Sequence, residues 1–400
     1  MTIAIAGKNN IAVNALEFLI KKYPEHKIVV TCNPNENGEN DWQKSLRYFA
    51  KLHGIEEVSL TSLYEIEDLL FLSLEYANIV KPELFKSKRL YNIHFSLLPK
   101  YKGMFTSVMP ILNNEAYSGV TLHKMERGID TGDIIAQKKF ELGVDDSSLE
   151  LYHKYLKNAF QLFVENIDTL IENDEITWAR QQDATESTYY SKSQLDFKNI
   201  VIDLKQTAMN IHNQIRAFNF RPYQLAKVFD VPVVNSVITN VKSTVPAGRL
   251  LYETDEYFML STIDYNLVII KDRLGMLLEA CKENDIECVQ KCTYLPYFVN
   301  EKNEYGWTPL TVAVYNGNME IAKHLLAAGA DPYVINNNGT TLLMYAKNCY
   351  LNTGNSEMFE IIYSLGVDAK QKDFYAKSLY EYCVEQNFTE IGKYKVADFK

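Results

Sequence analysis

The chain has no apolar run of the ~18–20 residues that a bilayer-spanning helix needs. It has no excess of basic charge either. Against 51 Asp and Glu it carries 41 Lys and Arg, a formal net charge of -10. Binding along a nucleic acid requires a basic face that displaces counterions, so the charge argues against that class, although it leaves room for a local basic pocket holding one pyrophosphate. Cysteine is sparse: Cys32, Cys281, Cys288, Cys292, Cys349 and Cys383 include no Cys-x-x-Cys pair and no histidine at zinc-finger spacing. No metal is expected, and Cys288 and Cys292, one helical turn apart, read as two thiols on a buried helix face. The first residues lack a basic stretch followed by a long apolar one and read as a strand rather than an export signal. With reduced cysteines, this points to the cytoplasm. Finally, the turn after that strand holds Gly7 alone, without the further glycines that let a backbone approach a dinucleotide pyrophosphate. A nicotinamide or flavin dehydrogenase is thereby disfavoured.

What is present is a foldable chain of 400 residues, 47% hydrophobic and 23% charged, long enough for two or three domains. The first half alternates strand and helix: a strand over Thr2–Ala6, an amphipathic helix to about Lys22, a strand over Lys27–Cys32, a polar loop over 33–40 and a helical pattern over 42–53. Leu69–Leu74 and Leu90–Phe95 are continuous apolar runs of strand length, as in strands covered on both faces. Together they predict a parallel, doubly wound sheet. A helix is expected over about 149–171, a polar connection over 172–191, and another amphipathic helix over 204–218. Short alternating runs within 230–271, punctuated by Pro232, Pro246 and Gly248, predict a small antiparallel domain.

The last third is repetitive. Gly306-Trp307-Thr308-Pro309-Leu310 returns 33 positions on as Gly339-Thr340-Thr341-Leu342-Leu343, with Gly329-Ala330-Asp331-Pro332 between. Period and turn residues resemble the ankyrin repeat. A degenerate copy is expected from about Leu274. Another follows with Leu379 in the position of Leu343, offset by three extra residues assigned to a longer loop near 352–356.

The stretch that carries chemistry is Tyr91-Asn92-Ile93-His94-Phe95-Ser96-Leu97-Leu98-Pro99. Strand alternation puts Asn92 and His94 on one side, at the carboxyl edge where open α/β sheets place their sites. Downstream, Gly128-Ile129-Asp130-Thr131-Gly132-Asp133 is a glycine-flanked turn bearing an acid, followed by Ile134-Ile135-Ala136-Gln137. These two motifs resemble the folate-dependent formyltransferases, a family that includes the glycinamide ribonucleotide, methionyl-tRNA and sugar N-formyltransferases. By motif match, the resemblance implies a catalytic triad of Asn92, His94 and Asp130. It implies N10-formyltetrahydrofolate as co-substrate, held near the loop from Leu74 to Pro82, with Glu75, Tyr76 and Asp133 as the residues assigned to it.

The chemistry fits these residue types. An amine attacking a formyl carbon creates a tetrahedral oxyanion that an asparagine amide can stabilise. A histidine can relay the proton near neutrality, and an aspartate can orient it. The base remains open between His94 and Asp130.

Among acceptors, initiator tRNA is disfavoured by the acidic charge, and glycinamide ribonucleotide by the extra length. Lys100-Tyr101-Lys102-Gly103-Met104-Phe105-Thr106 and Ile215-Arg216-Ala217-Phe218-Asn219-Phe220 resemble the sugar N-formyltransferases. The implied acceptor is a dTDP-linked amino-dideoxy sugar for surface polysaccharide (O-antigen) synthesis, a 3-amino-3,6-dideoxyhexose ahead of dTDP-4-amino-4,6-dideoxyglucose. Lys8, Asn9, Lys102, Met104, Asn219, Phe220 and Tyr223 are assigned to it. A UDP-4-amino-arabinose acceptor is less favoured, since that enzyme resembles a formyltransferase fused to a dehydrogenase.

The expected fold class is α/β: a Rossmann-like formyltransferase domain with a parallel-rich sheet (1–200), a small β-rich domain (201–271) that forms a homodimer by resemblance, and an all-α-type ankyrin domain (272–400). Tyr305, Trp307 and Tyr333 form an aromatic edge assigned to a second nucleotide or a partner, with core packing of Trp307 as the competing role. The non-enzymatic alternative is an ankyrin scaffold on an inactive formyltransferase fold.

Overall fold

The computed structural model describes all 400 residues, Met1–Lys400, which divide into two compact units: Met1–Glu39 with Gln43–Lys271, and Asp272–Lys400 with Asn40–Trp42.

In the first unit the chain runs β1 (Thr2–Gly7), α1 (Asn9–Lys22), β2 (Lys27–Cys32), α2 (Leu46–Leu52), β3 (Glu56–Glu57), β4 (Leu69–Leu74) and β5 (Leu90–His94). Then follow β6 (Lys102–Gly103), α3 (Met109–Leu112), β7 (Tyr117–Lys124), β8 (Ile134–Glu141) and the long α4 (Ser148–Glu172). One seven-stranded sheet has the order β3-β2-β1-β4-β5-β7-β8. Its first five strands are parallel and β7 and β8 antiparallel. The sheet is therefore parallel-rich, as expected, and its antiparallel edge at β7 and β8 is the part that strand–helix alternation does not locate. β5 and β7 are joined without a full crossover helix, so β7 returns in the opposite direction.

The apolar runs end up where their composition requires. Every residue of β4 is buried, as is β1 beyond Thr2. α4 lays Leu151, Tyr155, Ala159, Leu162, Phe163, Ile167 and Leu170 as one buried stripe at three- and four-residue spacing, packed on α1, β7 and β8. Its start is fixed by a capping box, Ser147 with Glu150. Gly7 is required by space rather than by φ: a Cβ there would lie 1.9 Å from the Leu74 carbonyl oxygen. The first turn of the sheet thus serves close packing of β1 on β4.

Two helix starts differ from the periodicity. α2 begins at Leu46, because the Ser45 hydroxyl accepts the Tyr48 amide and caps it there. α5 (Ala208–Phe218) begins after Thr207 for the same reason. Between α4 and α5 lies the short β9 (Tyr189–Tyr190), paired in parallel with β6. After α5 come β10 (Ala226–Val228), β11 (Val231–Lys242), β12 (Leu250–Glu253), β13 (Tyr257–Leu260) and β14 (Tyr265–Lys271). They form an antiparallel sheet of order β10-β11-β14-β13-β12 with α5 against β11.

The second unit stacks helix pairs: α6 (Leu274–Glu283) with α7 (Ile286–Thr293), α8 (Pro309–Asn316) with α9 (Met319–Ala327), and α10 (Leu342–Thr353) with α11 (Glu357–Ser364). α8 packs on both α6 and α10. Then come α12 (Leu379–Glu385), β15 (Glu390–Ile391) and β16 (Tyr394–Lys395). The fourth copy thus has one helix, and a hairpin with a closing 3₁₀ turn stands in for the second. Phe399, 1% exposed, seals this end against Phe359 and Tyr363.

The offset between the last copies is four residues, not three, and it is not in the loop. Gly306, Gly339 and Ala376 all have positive φ, and each precedes by two a hydroxyl N-cap, Thr308, Thr341 and Ser378. Leu379 is therefore the counterpart of Leu342. The extra residues lengthen α10 to 12 residues against 8 in α8. Of the thiols on α7, Cys292 is buried but Cys288 is half-exposed. No helix is long and apolar enough to cross a membrane.

Candidate active site

β1, β4 and β5 are neighbours in the sheet, and their carboxyl ends form one rim. At β5 the rim carries Asn92 and, two residues on, His94; the turn before β8 brings Asp130 to them. The Asp130 carboxylate lies 3.5 Å from His94 Nδ1 through Oδ2 and 3.4 Å from Asn92 Nδ2 through Oδ1. The His94 and Asp130 side chains are 9% and 12% exposed. The Gly103 N–H donates to Asp130 Oδ2 at 2.9 Å. The three residues singled out from the motifs are thus one group.

A fourth member, His123, is not singled out by either motif. It sits on β7 directly opposite Asn92. Its Nε2 is 3.0 Å from Asn92 Nδ2 and 3.6 Å from Asp130 Oδ1, while its Nδ1 is 2.7 Å from the Lys124 carbonyl. A carbonyl only accepts, so Nδ1 carries the proton and Nε2 accepts from Asn92. This hydrogen bond fixes the orientation of the Asn92 amide, with nitrogen toward the site. The signal available in the sequence is a histidine alternating with Thr121 on an apolar strand, which by itself does not distinguish a site residue. His94 faces acceptors on both sides: Nε2 is 2.8 Å from the Tyr101 carbonyl and Nδ1 faces Asp130. Both contacts are satisfied when both nitrogens bear protons.

Burial alone would raise the Asp130 carboxyl. The charge of His94 and, beside it, the contact with the His123 ring and the hydrogen bond from the Gly103 amide outweigh it and hold the group well below the usual carboxylate range.

The Ser-Leu-Leu-Pro segment is a scaffold for this group. Thr121 Oγ1 donates to the Ser96 carbonyl at 2.6 Å and accepts from Leu98 N at 3.1 Å. Gln137, the last residue of the second motif, donates to the Leu98 carbonyl at 2.9 Å.

Around the ends of β1 and β4 a second polar group forms. Asn9 Nδ2 (3.2 Å) and the Tyr152 hydroxyl (2.8 Å) both donate to Glu75 Oε2. Burial raises the Glu75 carboxyl, opposed in part by Tyr152, the Lys8 charge and Asn9. Tyr152 packs edge-on to Phe220, and Phe220 stacks with Tyr223 at 5.2 Å, leaving Tyr223 65% exposed. Lys8, Asn9, Phe220 and Tyr223, assigned by resemblance to one ligand, therefore lie in one neighbourhood. Glu75, assigned with Tyr76 to the other ligand, joins them instead. Tyr152 is an addition from α4.

Tyr76 packs with Met125 against the apolar cluster of Phe71 and Phe85. The fully buried Asn33 grips this loop, donating to the Glu75 carbonyl at 3.0 Å and accepting from Ala77 N at 2.8 Å. The Asp133 carboxylate makes no hydrogen bond or ion pair with the Asp130 group, and its carbonyl accepts Lys124 N. Lys102 is buried and Met104 is 45% exposed on the loop beyond His94. Asn219 does not present its amide to a ligand. Its nitrogen donates to the Val234 carbonyl at 2.6 Å and its oxygen accepts Ala226 N at 2.8 Å, so the amide is used in joining α5 to the small sheet.

In the second unit Trp307 is half-buried between Tyr315 and Tyr345, with ring centroids 5.1 and 5.2 Å apart. Tyr305 is 64% exposed. Tyr333 is 59% exposed, with its hydroxyl on the Leu365 carbonyl at 2.6 Å.

An amide donor, a histidine and a buried carboxylate converging at a sheet rim suit addition of a nucleophile to a carbonyl carbon and the accompanying proton movement. The formyl transferase family matches residues 61–167, and ankyrin repeats (3 copies) match 277–373. The chain belongs to the formyl transferase family and carries ankyrin repeats after the transferase region.

Among solved structures it is similar to WlaRD, a sugar 3N-formyl transferase crystallised with dTDP and 5-N-formyl-THF. The identity is 44% over 68% of this chain and 97% of that one, with a TM-score of 0.63. It is similar to the N-formyltransferase from Helicobacter canadensis in complex with folinic acid and dTDP-3-aminofucose, at 43% identity over 68% and 99%, TM-score 0.62. It also resembles the methionyl-tRNA formyltransferase of Alkaliphilus oremlandii, at 31% identity over 60% of this chain and 83% of the relative.

Proposed function

We propose that the chain transfers the formyl group of N10-formyltetrahydrofolate to the amine of a dTDP-linked amino-dideoxy sugar, a 3-amino-3,6-dideoxyhexose. The observation that carries the reading is the convergence of Asn92, His94 and Asp130 within 3.5 Å contacts at the rim. The acceptor class is supported by the two sugar N-formyltransferases that align over nearly their whole length, and by the acidic charge of -10, which suits tRNA poorly.

The amine lone pair attacks the formyl carbon and forms the new C–N bond. The carbonyl electrons move to oxygen, where an Asn92 N–H stabilises the oxyanion. Collapse breaks the bond to N10, which takes up a proton, while the new amide nitrogen loses one. Asp130, held ionised far into acid, is a weak base at neutral pH. His94 is therefore the proton carrier, and Asp130 orients it and balances its charge. Tyr223 offers an open ring to the base, and Lys8 a charge to the pyrophosphate. Tyr76 borders the folate.

The product would enter surface polysaccharide such as O-antigen, made in the cytoplasm. The exposed edge strand β12, with Leu250, Leu251 and Tyr252 on its surface, supports a homodimer through the small sheet, measurable by light scattering. The aromatic edge of Tyr305, Trp307 and Tyr333 is assigned to a second nucleotide or a partner. Titration of the full chain with dTDP tests this: two sites, reduced to one by Trp307→Ala, support the nucleotide, and a single site in both proteins removes it.

The main test is mass spectrometry of products from a panel of dTDP-aminosugars with N10-formyltetrahydrofolate. Gain of one formyl on a 3-amino member is expected, whereas gain on dTDP-4-amino-4,6-dideoxyglucose alone moves the assignment to that sugar. Should no member react, with His94→Ala behaving as wild type throughout, the scaffold reading replaces the enzyme.

A further inference from the structure

Between α4 and α5 a strap over residues 180–190 takes no part in the steps above, yet it is fastened to both sides of the candidate active site. At one end Arg180 and Ile134 exchange main-chain hydrogen bonds of 2.8 and 2.7 Å. At the other, Lys102 N donates to the Thr188 carbonyl and Met104 N to the Tyr190 carbonyl, each at 2.9 Å. Tyr101 N donates to Thr188 Oγ1 at 2.7 Å, and the Tyr101 and Tyr190 rings stack at 5.7 Å. Between these anchors Gln182 reaches under the catalytic turn. Its Nε2 donates to the Asp130 carbonyl at 2.8 Å and to the Gly132 carbonyl at 2.7 Å.

The turn it holds needs holding. Asp130 has φ +54°, a left-handed conformation that an aspartate adopts at a cost. The backbone is also crowded, since a Cβ on Gly132 would lie 1.9 Å from the Lys124 carbonyl oxygen. The orientation of the Gln182 amide is set by its partners. Turned over, its oxygen would press on two carbonyl oxygens. As it stands, Oε1 is buried without a donor, a desolvation cost that the fold accepts. Both donors of the amide are committed to one turn, whose side chain is the acid of the catalytic group.

We infer that Gln182 is a positioning residue for the transfer. It locks the 130–132 turn so that the Asp130 carboxylate stays between His94, His123 and the Gly103 amide, and the strap ties that lock to the loop bearing Lys102 and Met104. The inference rests on the formyl-transfer reading for its consequence in rate, but the lock itself is a property of the free protein.

Three variants test it. Gln182→Met keeps the bulk and removes both donors. Gln182→Glu puts a carboxylate against two carbonyls. Gln182→His keeps one N–H the same number of bonds from Cα. Displacement of a reacting group by a fraction of an ångström to an ångström costs about 10- to 100-fold in rate, so Met and Glu are expected to lower kcat by about that factor. KM for folate and sugar should stay within about threefold, and His should recover part of kcat.

The ¹⁵N resonances of His94 and His123 in the free protein report the position of Asp130 whether or not the acceptor has been identified. They shift in Gln182→Met and return toward wild type in Gln182→His. Unchanged resonances in Gln182→Met overturn the inference, as does a loss of activity that merely follows the unfolding midpoint across the three variants. Absence of wild-type turnover with every amine is a failure of the acceptor assignment instead, and leaves the resonance test standing.

Discussion

Two carboxyl groups stand a few strands apart on the same rim, and their surroundings push them in opposite directions. Asp130 is met by two histidines and a backbone amide, which overcome burial and keep it ionised. Glu75 is met by a hydroxyl and an amide, with a lysine charge beyond, and there burial prevails and favours the neutral acid. Burial alone therefore does not decide what a rim acid is for. What decides is whether its partners are cations or neutral donors. The first arrangement preserves a charge for chemistry. The second tips an acid toward its neutral form among neutral donors, suited to recognising a ligand.

The largest effect should come from breaking the charged arrangement. Asp130→Asn keeps the shape and removes the charge, and formyl transfer should fall by about 10²–10⁴-fold in kcat. Its stability effect has a definite sign. The folded value lies below the ordinary aspartate value of 3.8, so the carboxylate stabilises the fold above that pH. That contribution is lost as pH falls from 3.8 toward the lower folded value. Wild type should thus unfold above Asp130→Asn at pH 7, and the two melting curves should approach one another in strong acid. Next, His123→Ala releases the Asn92 amide, and kcat should drop about 10- to 100-fold with KM little changed, as steady-state kinetics would record.

On the other part of the rim the effects fall on binding. Tyr223→Ala removes an open ring whose stacking on a base is worth about 1–3 kcal/mol; KM for the sugar nucleotide should rise while kcat holds. The smallest effect sharpens the contrast most. Glu75→Gln keeps an oxygen for Asn9 and Tyr152. Because the folded value of Glu75 is raised from 4.5, its neutral form favours the fold below pH 4.5. That advantage is lost as pH rises through the folded value. The variant should therefore be the more stable protein at pH 8 and match wild type below about pH 4.5, opposite in sign to Asp130→Asn by the same thermal measurement. Equal signs for the two carboxyl-to-amide changes would dissolve the comparison.

The sequence makes the triad legible because strand alternation, a terminal proline loop and a glycine-flanked acid are local patterns. What it leaves hidden is contact across strands and loops. Asn33 reads as the start of a polar loop, yet it is fully buried and fastens the loop from Glu75 to Ala77. His123 gains its role only through the register that places it opposite Asn92. Asn219 looks like a ligand contact until β10 and β11 are seen to consume both ends of its amide. The antiparallel turn-back at β7 is hidden for a similar reason. Direction is set by how short the return from β5 is, and apolar periodicity carries no arrow.

The elongated α10 has a consequence for how this array tolerates change in length. Four added residues are close to one revolution at 3.6 residues per turn, so Leu342, Leu343 and Ala346 at its start and Cys349 further on all remain buried, and the next copy begins in phase. Insertions of one or two residues at the same place would rotate the apolar stripe by about 100–200°. Length variation here is thus quantised: the array should accept or shed whole revolutions and reject fractions.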